Sequence, residues 1–145
     1  MEFWELKPEP AGELGAQAVL DTSVHPPRVP FMHLDVTCWL GDDLVDCYPC
    51  YAVTPALALA LRRSALSGFT LVAMMTTVSA MFRELQPRTN VPQFERLLIG
   101  GRPGEDDAGI DTKSYDLIVS DRCLSVVKSF SISHCEIARW RAGGG

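Results

Sequence analysis

The sequence has no apolar run near the roughly 20 residues that a membrane-crossing helix needs. Its longest, about Phe69 to Phe82, is broken by Thr70, Thr76, Thr77 and Ser79. A basic start followed by an apolar stretch is also missing, so Met1-Glu-Phe-Trp-Glu-Leu-Lys-Pro8 is not expected to serve as a signal peptide. Positive charge is in deficit: 13 Lys and Arg against 18 Asp and Glu give a net charge of -5. That argues against nucleic acid as a partner and suits a basic or cationic one. No hydrolase elbow, P-loop, dinucleotide fingerprint or calcium loop is present, so no cofactor is expected. The five cysteines are an odd number, and without a secretory leader they are expected as reduced thiols in the cytoplasm.

What remains is a chain of 145 residues, 47% apolar and 21% charged, enough for one domain with its own core. A gapless internal repeat organises it. Tyr51 to Leu71 aligns on Leu117 to Ile137 at a spacing of 66, pairing Val53 with Val119, Thr54 with Ser120, Leu61 with Val127 and Leu71 with Ile137. Each copy, over 48–73 and 114–140, reads as strand, hydroxyl cap, short helix, turn and strand. Thr54-Pro55 combines a cap with proline at the first helical position, and Gly68 supplies a left-handed residue to end a helix reaching Ser67. Strands are expected at Glu2–Leu6, Phe31–Cys38, Cys47–Val53, Phe69–Ala73 and Phe94–Ile99, with a short helix over Val78–Leu85. Pro26, Pro27 and Pro30 stiffen an extended segment. Gly100 to Asp111 reads as an exposed acidic loop, and residues 141–145 as a frayed tail. The expected class is α+β: a mixed sheet of about five to seven strands with two similar strand-helix-strand units.

Few residues are arranged for chemistry. Cys47-Tyr-Pro-Cys50 is a CxxC, but a redox pair belongs at a helix start, and this one falls on strand. A zinc reading would recruit Cys38, Cys47 and Cys50, with His33, His134 or Cys135. Only one close ligand pair exists, so no metal is expected. Ser120 reads as a helix cap rather than a nucleophile. No nearby histidine or lysine is evident as a catalytic complement to the acidic loops. They offer instead a surface for a partner, with Trp39, Asp42 and Asp43 on the first and Glu105, Asp106, Asp107 and Asp111 on the second.

Several stretches carry a resemblance: Phe3-Trp-Glu-Leu-Lys-Pro8, Trp39-Leu-Gly-Asp-Asp43, Pro49-Cys-Tyr-Ala-Val-Thr54, Phe82-Arg-Glu-Leu85, Gly104-Glu-Asp-Asp107, Leu117-Ile-Val-Ser120 and His134-Cys-Glu-Ile137. In these the chain resembles the immunity families of bacterial polymorphic toxin systems. The resemblance implies a cytoplasmic, non-enzymatic protein that binds and blocks a cognate toxin. The alternative expectation is a small-ligand or enzymatic module with a pocket between the two repeat units.

Overall fold

The computed structural model describes residues 1–142, so the expected tail lies, from Gly143 on, outside the described residues. The chain opens with β1 (Phe3–Lys7) and short strands β2 (Glu9–Pro10) and β3 (Gly12–Leu14). An arm of β4 (Val19–Asp21) and β5 (Arg28–Phe31) follows, then β6 (His33–Val36), β7 (Leu44–Cys47) and β8 (Cys50–Val53). The middle contains α1 (Pro55–Arg63), β9 (Phe69–Val72), β10 (Met75–Val78), α2 (Ala80–Leu85) and β11 (Glu95–Ile99). The chain closes through β12 (Ala108–Ile110), β13 (Leu117–Ser120), α3 (Asp121–Lys128) and β14 (Glu136–Trp140). The class is α+β as expected, with strand outweighing helix. The strands are divided among four sheets, the largest ordered β2-β7-β8-β11-β9. Among the short strands, β2 carries Pro10 and β3 carries Gly12.

The repeat is realised in three dimensions. β8 and β9 both pair antiparallel with β11, which lies between them, and β13 and β14 both flank β1 in the same way. Leu97 of β11 faces Tyr51 and Leu71, and Leu6 of β1 faces Leu117 and Ile137. These are the positions that the 66-residue alignment equates. An outer strand completes each set: Leu44 of β7 sits opposite Val53, and Ala108 of β12 opposite Val119. Orders β7-β8-β11-β9 and β12-β13-β1-β14 therefore correspond strand for strand. β12 falls inside the segment read from sequence as exposed loop. Ala108 is 1% exposed.

One core joins the two units. Leu57, Ala58 and Leu61 of α1 and Cys123, Leu124 and Val127 of α3 pack with Leu6, Val53, Leu97 and Val119. The other face of the large sheet covers a second core, with Val45, Ala52, Leu34, Val36, Phe82 and Phe94. β8 is therefore buried along its whole length, which is why Cys50-Tyr-Ala-Val53 carries no charge.

Three local expectations are corrected. Thr54 precedes α1 but makes no side-chain cap; its hydroxyl donates to Asp43 instead. α1 ends at Arg63, and the left-handed residue just beyond it is Ala65, at φ 58°. Gly68, at φ 95°, is required for another reason: a Cβ there would lie 2.1 Å from the Ala108 carbonyl oxygen.

Candidate functional site

The carboxylates of the acidic loops are engaged inside the molecule. Asp43 accepts the Thr54 hydroxyl at 2.6 Å and the Ser131 amide at 2.8 Å. Asp107, 3% exposed, accepts the Ser120 hydroxyl at 2.6 Å, the Ser67 amide at 3.0 Å and the Arg122 guanidinium at 3.2 Å. Burial alone would raise its pKa, but these donors and the Arg122 charge outweigh it and lower the value. Asp106 takes the Ser67 hydroxyl and the Arg102 amide. Asp111 takes the Lys113 amide and the Trp140 indole, which lower its pKa. Trp39 donates its indole N–H to the Asp42 carbonyl and stacks edge-on against Phe94. Of the seven residues, Glu105 alone presents an exposed carboxylate, paired with Arg102 at 3.6 Å on the surface. No hydrogen bond among the described residues joins the first set to the second.

A histidine does meet the first loop, through space rather than sequence. The His134 ring and amide both bond the fully buried Asp42, at 2.9 Å each. Glu9, 2% exposed, accepts from the Leu40 and Asp42 amides beside them. Burial raises the pKa of Glu9 despite those amides, and the Asp42 hydrogen bond raises that of His134. These three are the one group among the described residues whose side chains could hold a metal ion, their ligand atoms lying within 4.8 Å of one another. The bonds already made account for the cluster as a tie between the two units.

The cysteines form no such group. Cys47 and Cys50 face each other across the β7–β8 hairpin, both buried, with Cys38 exposed elsewhere. Burial pushes the Cys47 thiol up to about 12 and raises Cys50 as well. The CxxC is thus a hairpin in a core, not a thiolate at a helix start.

A groove of about 510 Å³ lies where the two equivalent hairpins meet. Tyr48 and Pro49 come from the β7–β8 turn, Ser114, Tyr115 and Asp116 from the β12–β13 loop, and Pro26 to Pro30 from the arm. Pairing of β8 with β11 stops at Tyr51 and Leu97, and the gap past it, lined by Cys50, Leu98 and Ile99, deepens the floor. All three tyrosines of the chain line this groove. Tyr115 is held at φ 61°, a left-handed conformation that costs energy in a non-glycine residue, and its ring meets His25 edge-on at 5.5 Å. Arg96, 9% exposed, donates to the Val29 carbonyl and also faces the groove. Asp46 lies on the wall with its pKa raised to about 6 by burial and by the neighbouring Asp116 charge. Sequence reasoning passed over these residues because they lie on four separate segments. The one signal available was that two of the three tyrosines flank Pro49-Cys50.

No helix of the described residues is long and apolar enough to cross a membrane. Set against family models, curated proteins and solved structures, the chain matches none.

Proposed function

We propose that the chain is a non-enzymatic binding protein, an immunity-type inhibitor that occludes a cognate bacterial protein toxin in the cytoplasm. Its recognition surface in this reading is the groove between the hairpins, not the acidic loops. The observation that carries it is the convergence of Tyr48 and Tyr115 on one concave surface, with the buried Tyr51 beneath them. Tyrosine is enriched at protein interfaces because it offers a large, stiff apolar face with a polar tip. Tyr48 is 58% exposed at the rim of the groove, where its ring is free to meet a partner. The loop carboxylates support the same choice, since most are occupied internally. The net charge of -5 and the resemblance support a basic toxin as the partner. Five free thiols, four of them with raised pKa, suit a reducing compartment and give no support to thiol chemistry. The interface expected is roughly 1,200–2,000 Å².

Co-expression with the product of an adjacent toxin gene tests this. The wild-type chain is expected to protect and to co-purify, a Tyr48→Ala/Tyr115→Ala variant to do neither, and Glu105→Ala to behave as wild type. Full protection by the double tyrosine variant would remove the groove from the reading.

A second reading is favoured by the same cavity, whose 510 Å³ lies between the two units and suits a small ligand. It predicts saturable thermal stabilisation by a small molecule, with protection from a toxin absent.

A further inference from the structure

We infer that the groove seats a basic side chain of a protein partner, a lysine or arginine placed between Asp46 and Asp116 with its stem against Tyr48 and Tyr115. This rests on the groove being the recognition surface and adds the chemistry of its occupant.

The unmet groups of the groove point to a cation. The Asp46 carboxylate accepts no hydrogen bond among the described residues, and no Lys, Arg or His nitrogen lies within 4.0 Å of it or of Asp116. Asp116 lies instead beside the Glu5 carboxyl, an acidic neighbour that raises the pKa of Glu5. Asp46 and Asp116 thus both line the groove, and Glu5 adjoins Asp116. Lys7 reaches Glu5 at 3.9 Å, 56% exposed, but pairs with neither of the other two. Two cations also line the groove, and neither pairs with these carboxylates. Arg96 gives an N–H to the Val29 carbonyl, and Arg28 lies opposite Asp21 on the arm, where hydrogen bonds from Ser23, with a smaller contribution from the Arg28 charge, lower the Asp21 pKa.

No buried side-chain polar atom lacks a partner in this structure, so the free Asp46 oxygens are reachable from the groove rather than sealed in the core. A carboxylate that is mostly buried, unbonded and open on one side is satisfied best by a donor brought from outside. A charged donor gives the stronger bond, and an arginine fork bridges two carboxylates. Tyrosine faces then contribute through contact with the aliphatic stem and the cation. The remaining Arg96 donors suit a carbonyl on the partner backbone, the group type that Arg96 already holds at Val29.

The probe is N-acetyl-arginine amide, with N-acetyl-norleucine amide as the uncharged control of similar length. Amide ¹H–¹⁵N shifts of the full chain are followed during titration. Saturable shifts are expected at Asp46, Tyr48, Cys50 and Asp116 for the arginine compound, at least tenfold weaker for norleucine. Asp46→Asn and Asp116→Asn, each checked for an otherwise native spectrum, are each expected to weaken arginine binding at least fivefold. Equal binding of the two compounds, or unchanged affinity in both asparagine variants, overturns the basic occupant while leaving the groove as a recognition surface. Arginine shifts confined to other surfaces overturn it as well. Toxin protection that survives Tyr48→Ala/Tyr115→Ala sinks the groove reading itself, an outcome recorded in a separate assay.

Discussion

Asp43 and Asp107 make the same bonds in opposite directions across the molecule. Asp43 accepts the hydroxyl of Thr54, which begins the helix of its own unit, and the amide of Ser131, which follows the helix of the other. Asp107 does the same with Ser120 and Ser67. The main chain repeats the exchange: Asp43 N–H donates to the Ser131 carbonyl, and Ala108 N–H to that of Ser67. Each aspartate thus starts one helix and fastens the far end of the other.

Removing such an acceptor leaves several donors unmet, with the Thr54 or Ser120 hydroxyl buried among them. Asp107→Ala is expected to cost about 3 kcal/mol in urea unfolding, since Ser120, Ser67 and Arg122 all lose their acceptor. Asp43→Ala should cost about half as much, being less buried with two donors. A cycle of Asp107→Ala with Ser120→Ala should show strong non-additivity. Because the Asp107 pKa is lowered on folding, its contribution is present above about pH 4 and disappears as pH falls through the folded value.

The seam between Asp42 and His134 has the opposite pH sign. The His134 pKa is raised on folding, so its stabilising effect is complete below about pH 6.5 and fades as pH rises through the folded value. The urea midpoint should therefore fall as pH rises above about 6.5 in the wild type. His134→Gln should flatten that slope; an unchanged slope would assign the pH dependence to another group.

Asp46 should be one of the few acidic residues whose neutralisation helps the isolated protein. Its pKa is raised from 3.8 to about 6, so the folded state holds the proton more tightly between those values, and stability falls as pH rises through that window. Asp46→Asn is expected to gain about 1–2 kcal/mol at pH 7, allowing for solvent screening, with the gain vanishing toward pH 4. A loss of stability would mean that the carboxylate has an internal structural role.

Thiol labelling should follow the folded environment rather than the CxxC spacing. Brief treatment with a maleimide at pH 7 is expected to modify Cys38, which is exposed, before any other. Cys47 and Cys123, with thiols pushed up to about 12, should react only after unfolding. Peptide mapping by mass spectrometry reads this directly.

The helices, the order of elements within each unit and the equivalence of the two units were legible because hydroxyl caps, Pro55 and apolar periodicity act locally. Inner strands β1 and β11 were foreseen as strands, but their insertion between the repeated ones was not, since nothing local marks which strand a chain will pair with. The acidic loops were read as outside the repeat for a simple reason. Four residues separate Asp46 from its partner Tyr51, and six separate Ile110 from Leu117. Those two extra residues shift Asp42-Asp43 and Asp106-Asp107 out of the gapless alignment and hide their kinship. The longer hairpin also supplies Tyr115 and Asp116, so the groove arises where the duplication is imperfect.

β1 is synthesised long before its two neighbours, β13 and β14. The amino-terminal strand must therefore remain unpaired through synthesis of more than a hundred residues, a contact separation that slows folding. The first unit, by contrast, is complete once β11 has emerged, and can serve as a platform on which α3 packs. During translation the nascent chain thus carries an orphan strand with Phe3, Trp4 and Leu6 exposed, a stretch suited to a cellular chaperone until β13 and β14 arrive.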